Sequence, residues 1–261
     1  MTFADSKQRF SNRVADYVRY RPRYPEAVLD FLRSECSLRP EHAIADIGSG
    51  TGFLSELFLK NGNRVFGVEP NEGMRQAGED LLARYPNFVS VNGSAEATTL
   101  AAASVDFITA GQAFHWFEPA TARREFQRIL RPPGWIAILW YHRPLNKSSF
   151  TDTFEDLLIR FGTDYEKVRD AYPKSKDIAS FLGNKTFSTR EFPSTQEFGR
   201  EGLTGLVKST SYVPDQNHAN YAPMMVELEK LFRENEKDGL VRLENTTTVY
   251  CGRLDGNGTN L

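Results

Sequence analysis

Ala43-Ile44-Ala45-Asp46-Ile47-Gly48-Ser49-Gly50-Thr51-Gly52 is the stretch whose reading decides the fold. Its short apolar run, broken by one carboxylate, has the character of a strand buried in a parallel sheet. Three alternating glycines then let the backbone turn tightly and approach a ligand with no Cβ in the way. A helix beginning near Thr51 turns its free N–H groups toward whatever occupies that turn. A plain strand-to-helix turn seldom needs three glycines, so the stretch is read as a nucleotide-binding turn.

Downstream, residues 53–59 read as the crossover helix and residues 64–69 as the next strand, which closes on Glu69. That places a carboxylate about 20 residues beyond the glycine turn, the spacing at which an acid in a βαβ unit reaches both ribose hydroxyls of an adenosine. The pattern is not a nicotinamide fingerprint. GxGxxG would need glycine where Phe53 stands, and Asp46 precedes the first glycine. An adenosine ligand with no phosphates and a positively charged remainder suits two acids better than an anionic dinucleotide does.

The pattern continues with a helix over 71–85, a strand over 88–92, the polar turn Gly93-Ser94-Ala95-Glu96, and a strand over 104–110. The last of these leads into Gly111-Gln112-Ala113-Phe114-His115-Trp116-Phe117. A helix from Pro119 follows, and Arg131-Pro132-Pro133-Gly134 turns the chain into the apolar strand 135–141. Beyond it the periodicity loosens: a helix over 150–161, a lysine-rich connection, a strand over 186–192, a Gly-punctuated helix over 195–207, a charged helix over 221–237 and a β-branched strand over 245–253. Upstream, Tyr17, Tyr20 and Tyr24 interleave with Arg13, Arg19, Arg21 and Arg23, an arm that either packs across the domain or caps a ligand.

The chain has 261 residues, 40% hydrophobic and 25% charged, with a net charge of −2, an ordinary globular balance with no field favouring nucleic acid or an anionic membrane. A small-molecule partner is therefore expected. Cys36 and Cys251 lie far apart and outside any CxxC pattern, which points away from a disulfide framework or structural zinc and toward a reducing cytosol. His42, His115, His142 and His218 are scattered, so no metal site is expected. His115 is the histidine best placed for general-base work, with an aromatic pocket-shaping role as the alternative.

DIGSGTG, VFGVEPN, GSAEATTL, SVDFITAGQAFHWF and LRPPGWIAILW resemble, in order and spacing, the motifs of seven-stranded (class I) S-adenosylmethionine-dependent methyltransferases with a type 11 methyltransferase domain. The resemblance covers about residues 22–141. Tyr-Arg-Pro-Arg-Tyr-Pro and Gln-Ala-Phe-His-Trp-Phe further resemble a small-molecule branch that includes trans-aconitate and cantharidin methyltransferases. The resemblance implies an α/β doubly wound, Rossmann-like, seven-stranded mixed sheet with its last strand antiparallel and helices on both faces. It implies an N-terminal arm or lid over 1–25 and one methyltransferase domain over 26–253, with its core at 40–141 and substrate-cap and C-terminal sheet elements at 142–253; the Gly- and Asn-rich tail at 254–261 is expected to be disordered.

For the cofactor S-adenosylmethionine, the resemblance implies that Asp46, Gly48, Ser49 and Gly50 meet the methionine part. Glu69, with Pro70 beside it, takes the ribose, and Ser94, Ala95 and Glu96 lie against the adenine. Gln112 and Ala113 flank the sulfonium, while Tyr17, Tyr20 and Arg21 fold over it. The chain departs from the pattern at Ser94, where many relatives have aspartate, and at Pro133, where glycine is usual. His115, Trp116 and Arg143 are the candidates for holding the acceptor. O-methylation of a small molecule, and of a carboxylate in particular, is the leading expectation; N- or C-methylation and cofactor binding without turnover are the alternatives.

Overall fold

A computed structural model of the chain describes residues 14–146, 148–170, 172–183 and 186–254. The start of the arm and residues 255–261 of the tail expected at 254–261 lie outside the described residues. Two helices, α1 (Val14–Tyr20) and α2 (Ala27–Cys36), precede β1 (Ala43–Ile47). Then come α3 (Phe53–Lys60), β2 (Arg64–Val68), α4 (Glu72–Leu82), β3 (Phe88–Val91) and β4 (Val105–Gly111). After β4 a 3-10 turn (Phe114–Trp116) leads to α5 (Pro119–Ile129) and β5 (Leu130–His142).

These strands belong to a seven-stranded sheet ordered β3-β2-β1-β4-β5-β7-β6, as the resemblance implies. β1 to β5 pair in parallel, and β7 (Val241–Gly252) runs antiparallel to both β5 and β6 (Phe187–Phe198). Alternation along the strands sends side chains to opposite faces. Ile44 and Leu139 join a core with α2 and α3, whereas Ala45, Ile136 and Ile138 join one on the other face with Phe126 of α5 and Phe181 of α8 (Ser175–Leu182). The chain order reverses between β1 and β4, so a crevice opens beyond their C-terminal ends at the switch point, where open α/β sheets bind their ligands.

A third core joins α6 (Ser149–Phe161), α9 (Arg200–Lys208), α10 (Tyr221–Asn235) and the start of β7, through Phe154, Leu206, Leu228 and Val241. Three expectations are corrected here. The lysine-rich connection holds two helices, α7 (Tyr165–Asp170) and α8, anchored by buried Tyr165 and Phe181. Residues 195–198, expected to begin a helix, extend β6 because Thr195, Gln196, Glu197 and Phe198 each have a ladder partner on β7. Cys36 and Cys251, separated by 215 residues, are brought together and joined by a disulfide between the end of α2 and β7, against the expectation of unpaired cysteines. The Arg131–Gly134 turn persists as an excursion within β5: β4 advances from Val105 to Phe107 while β5 advances from Leu130 to Trp135. No helix among the described residues is long and apolar enough to cross a membrane.

Candidate active site

Gly48 adopts φ +68° where the β1 turn presses against the turn after β4, and a Cβ there would lie 2.5 Å from that of Ala113. Only glycine permits both the backbone angle and the contact. The Gly48 and Ser49 N–H groups donate to the Val68 carbonyl at 2.8 and 3.2 Å, and Gly50 N–H donates to Glu69 Oε2 at 2.9 Å. These three amides thus face inward, so any free N–H groups at this end of the fold belong to the start of α3, where the helix was expected to present them. The turn is lashed to the end of β2 and leaves no phosphate cradle on these three amides.

Glu69 is buried, and its second oxygen accepts from Asn71 N–H at 2.8 Å. Burial raises its pKa, opposed by the two backbone donors and by Arg75. Its carboxylate stands in a cavity with Pro70, Met74, Ser94 and Ala95 at the adenosine end predicted from sequence. Glu96 faces elsewhere and accepts from Glu118 N–H at 2.9 Å, at the start of α5. Asp46 is fully buried beneath the turn, accepting from Ser55 Oγ at 2.7 Å and Thr109 Oγ1 at 3.2 Å. Burial pushes its pKa up to about 6, with the two hydroxyls pulling the other way.

Asp46 and Ser49 border a second cavity with Tyr24, Arg21 and Thr51. Thr51 Oγ1 is buried there with no hydrogen-bond partner among the described residues. A third cavity lies beyond Trp116, lined by His115, Trp140, His142, Arg143 and Tyr172 as well as Arg21. Tyr17 and Gln112 border all three cavities. Gln112 holds φ +59°, uncommon for a non-glycine residue, and donates from Nε2 to the Tyr141 carbonyl at 2.9 Å. Burial pushes the Tyr17 hydroxyl up to about 12, so it stays neutral, and its ring lies 5.8 Å from that of Phe53.

The two arginines of the third cavity differ. Arg143 Nε donates to Glu155 of α6, and Tyr165 donates to the same carboxylate, so its charge is already matched inside the fold. Arg21 donates to the Tyr141 hydroxyl and to the Ser209 carbonyl at 3.3 Å, has its guanidinium 5.2 Å from the Tyr17 ring centre, and has no carboxylate partner among the described residues. Its Nε is buried with no acceptor among the described residues. His115 packs its ring 4.4 Å from Trp116 and 5.0 Å from Trp140. Tyr20, predicted to fold over the ligand, instead packs against Gly205 of α9 and donates to Glu201 at 3.2 Å.

Sequence reading missed Met74, Trp140, Tyr141, His142, Tyr172 and Tyr212 as cavity residues. Trp140 and Tyr141 carried a usable signal, since they sit at the C-terminal end of a strand. Tyr172 and Tyr212 carried none.

Residues 45–138 match a family model described as a methyltransferase domain. A methyltransferase-like protein of Schizosaccharomyces pombe is 32% identical over 92% of this chain and 90% of its own length. An uncharacterised methyltransferase of Mycobacterium tuberculosis is 30% identical over 80% of this chain and 79% of its own. Among solved structures, a candidate type II methyltransferase from Anaeromyxobacter dehalogenans superposes with a TM-score of 0.61 at 22% identity, covering 90% of this chain and 98% of the other. The chain belongs to the methyltransferase family and is a methyltransferase of the S-adenosylmethionine-dependent kind.

Proposed function

We propose that the chain binds S-adenosylmethionine across the first two cavities and methylates an oxygen of a small acidic molecule held in the third. The observation that carries this reading is the wall common to all three, formed by Tyr17 and Gln112. A sulfonium seated there faces the acceptor cavity on one side while its adenosine and methionine parts extend to the other. The residues present fit this cofactor. Glu69 has oxygen lone pairs left for ribose hydroxyls, Thr51 Oγ1 supplies an unused polar atom at the methionine end, and Asp46 lends negative charge beneath the turn.

When bound, S-adenosylmethionine supplies a methyl group on a positively charged sulfur; the acceptor oxygen's lone pair forms the new C–O bond while the C–S pair stays on sulfur. The chain's own task is to align the acceptor and exclude water. The Gln112–Tyr141 hydrogen bond fixes the wall between cofactor and acceptor, and Tyr17 roofs it from the N-terminal arm, which serves as a lid. Arg21 borders both the methionine-end and acceptor cavities, and its unmatched charge suits carboxylates. No carboxylate side chain borders the acceptor cavity among the described residues, which favours an anionic acceptor. A carboxylate nucleophile has no proton to lose, so His115 and Trp116 shape the pocket and no base is required. This agrees with the likeness to the trans-aconitate and cantharidin branch.

The test is incubation of the protein with methyl-labelled S-adenosylmethionine and a fractionated metabolite extract. Labelled product that releases its label as methanol in alkali supports carboxylate methylation; alkali-stable label in an amine or ether overturns that assignment.

A further inference from the structure

Trp140 stands on β5 opposite Thr248 of β7, next to Tyr141 and His142 at the end of the strand that walls the acceptor cavity. It is 4% exposed, and its Nε1 is buried with no acceptor among the described residues. An indole N–H can only donate, so nothing else about this nitrogen is satisfied by the fold. Buried donors are almost always paired, and a phenylalanine would fill similar space without desolvating an N–H. The ring is packed against His115 at 5.0 Å and Tyr172 at 5.0 Å, centroid to centroid, so its position is fixed before any ligand arrives. The same cavity is bordered by the guanidinium groups of Arg21 and Arg143.

Resting on the acceptor cavity assigned above, we propose that Trp140 is a specificity-determining residue whose indole N–H donates a hydrogen bond to a carboxylate oxygen of the acceptor. The indole N–H adds one neutral donor to the charge and donors that the arginines supply. It favours a flat acid whose carboxylate lies in reach of the indole edge while its body stacks among aromatic rings. Trp140 orients the acceptor and takes no part in the bond changes at the methyl group.

The test uses the full chain loaded with S-adenosylhomocysteine, with benzoate as the acceptor mimic and toluene, which lacks oxygen, as its control. In protein labelled with ¹⁵N, the Trp140 indole resonance is identified by its loss in Trp140→Phe. Benzoate is expected to shift that resonance downfield and to bind Trp140→Phe about tenfold more weakly than wild type, while S-adenosylhomocysteine affinity stays the same in both. Toluene is expected to leave the resonance in place. Equal benzoate affinity in the variant, an unmoved resonance, or no saturable benzoate binding to the loaded protein overturns the proposal. Failure of S-adenosylhomocysteine itself to bind is a different result, which sinks the cofactor assignment and this inference with it.

Discussion

Tyr20 occupies a notch at Gly205: a Cβ built on that glycine would lie 2.0 Å from the tyrosine ring. A Cβ built on Gly202, one turn earlier on α9, would lie 3.9 Å from the same ring. The arm carrying Tyr17 and Arg21 is thereby latched to α9, with Arg21 anchored on Ser209 just beyond it. Gly205→Ala should expel Tyr20 and loosen the arm. We expect faster proteolysis within residues 14–25 and roughly tenfold weaker S-adenosylmethionine binding, about 1.4 kcal/mol. Unchanged affinity in the variant would show that the arm's seat does not shape the cofactor site.

Arg143 and Glu155 form an ion pair whose side chains are 6% and 4% exposed. Breaking such a pair leaves a buried charge uncompensated and costs about 3–5 kcal/mol. Glu155→Leu should lower the stability measured by urea unfolding by that order. Arg143→Met combined with Glu155→Leu should recover much of it. If the double variant is no more stable than the single one, the loss comes from packing and the charge argument fails.

Asp46 is an acid whose pKa burial raises from 3.8 to about 6. A raised acid binds its proton more tightly in the folded state, so its contribution is complete below the unfolded value and disappears as pH rises through the folded one. Ionised Asp46 therefore weakens the ligand-free fold near neutrality by up to about 3 kcal/mol. Relative to Asp46→Asn, wild type should lose stability between pH 4 and 7 in urea titrations. Parallel curves for the two proteins would refute the assignment.

How far the sequence carried these conclusions depended on chain distance. The glycine turn, Asp46 and Glu69 lie within one βαβ unit, where short spacing brings the end of β2 beside the turn, and Glu69 there accepts from Gly50 N–H, a contact the sequence did not indicate. Arg143 was legible as a cation near the cleft, but Glu155, which neutralises it, faces it only because α6 packs against β7, the neighbour of β5. Tyr172 and Tyr212 reach the cavity from two separate connections, after α7 and after α9, neither of which carries a motif. The disulfide between Cys36 and Cys251 was equally hidden, since the pairing follows from α2 packing beside β7 and no local pattern encodes it.

His115 is packed against Trp116 and Trp140 and is assigned a shaping role. With the acceptor identified by methyl labelling, His115→Phe should raise KM severalfold and leave the pH profile of kcat unchanged. Disappearance of a limb near the ordinary histidine pKa would instead make it the base.

The central claim is that Glu69 marks an adenosyl site, and calorimetric titration with S-adenosylmethionine tests it most directly. Two hydrogen bonds from ribose hydroxyls to a carboxylate contribute about 1.5–3 kcal/mol each. Wild type should bind with one-to-one stoichiometry, and Glu69→Ala should bind at least about 100-fold more weakly with its fold intact by circular dichroism. Equal affinity in the two proteins, or no binding to wild type, would contradict the account.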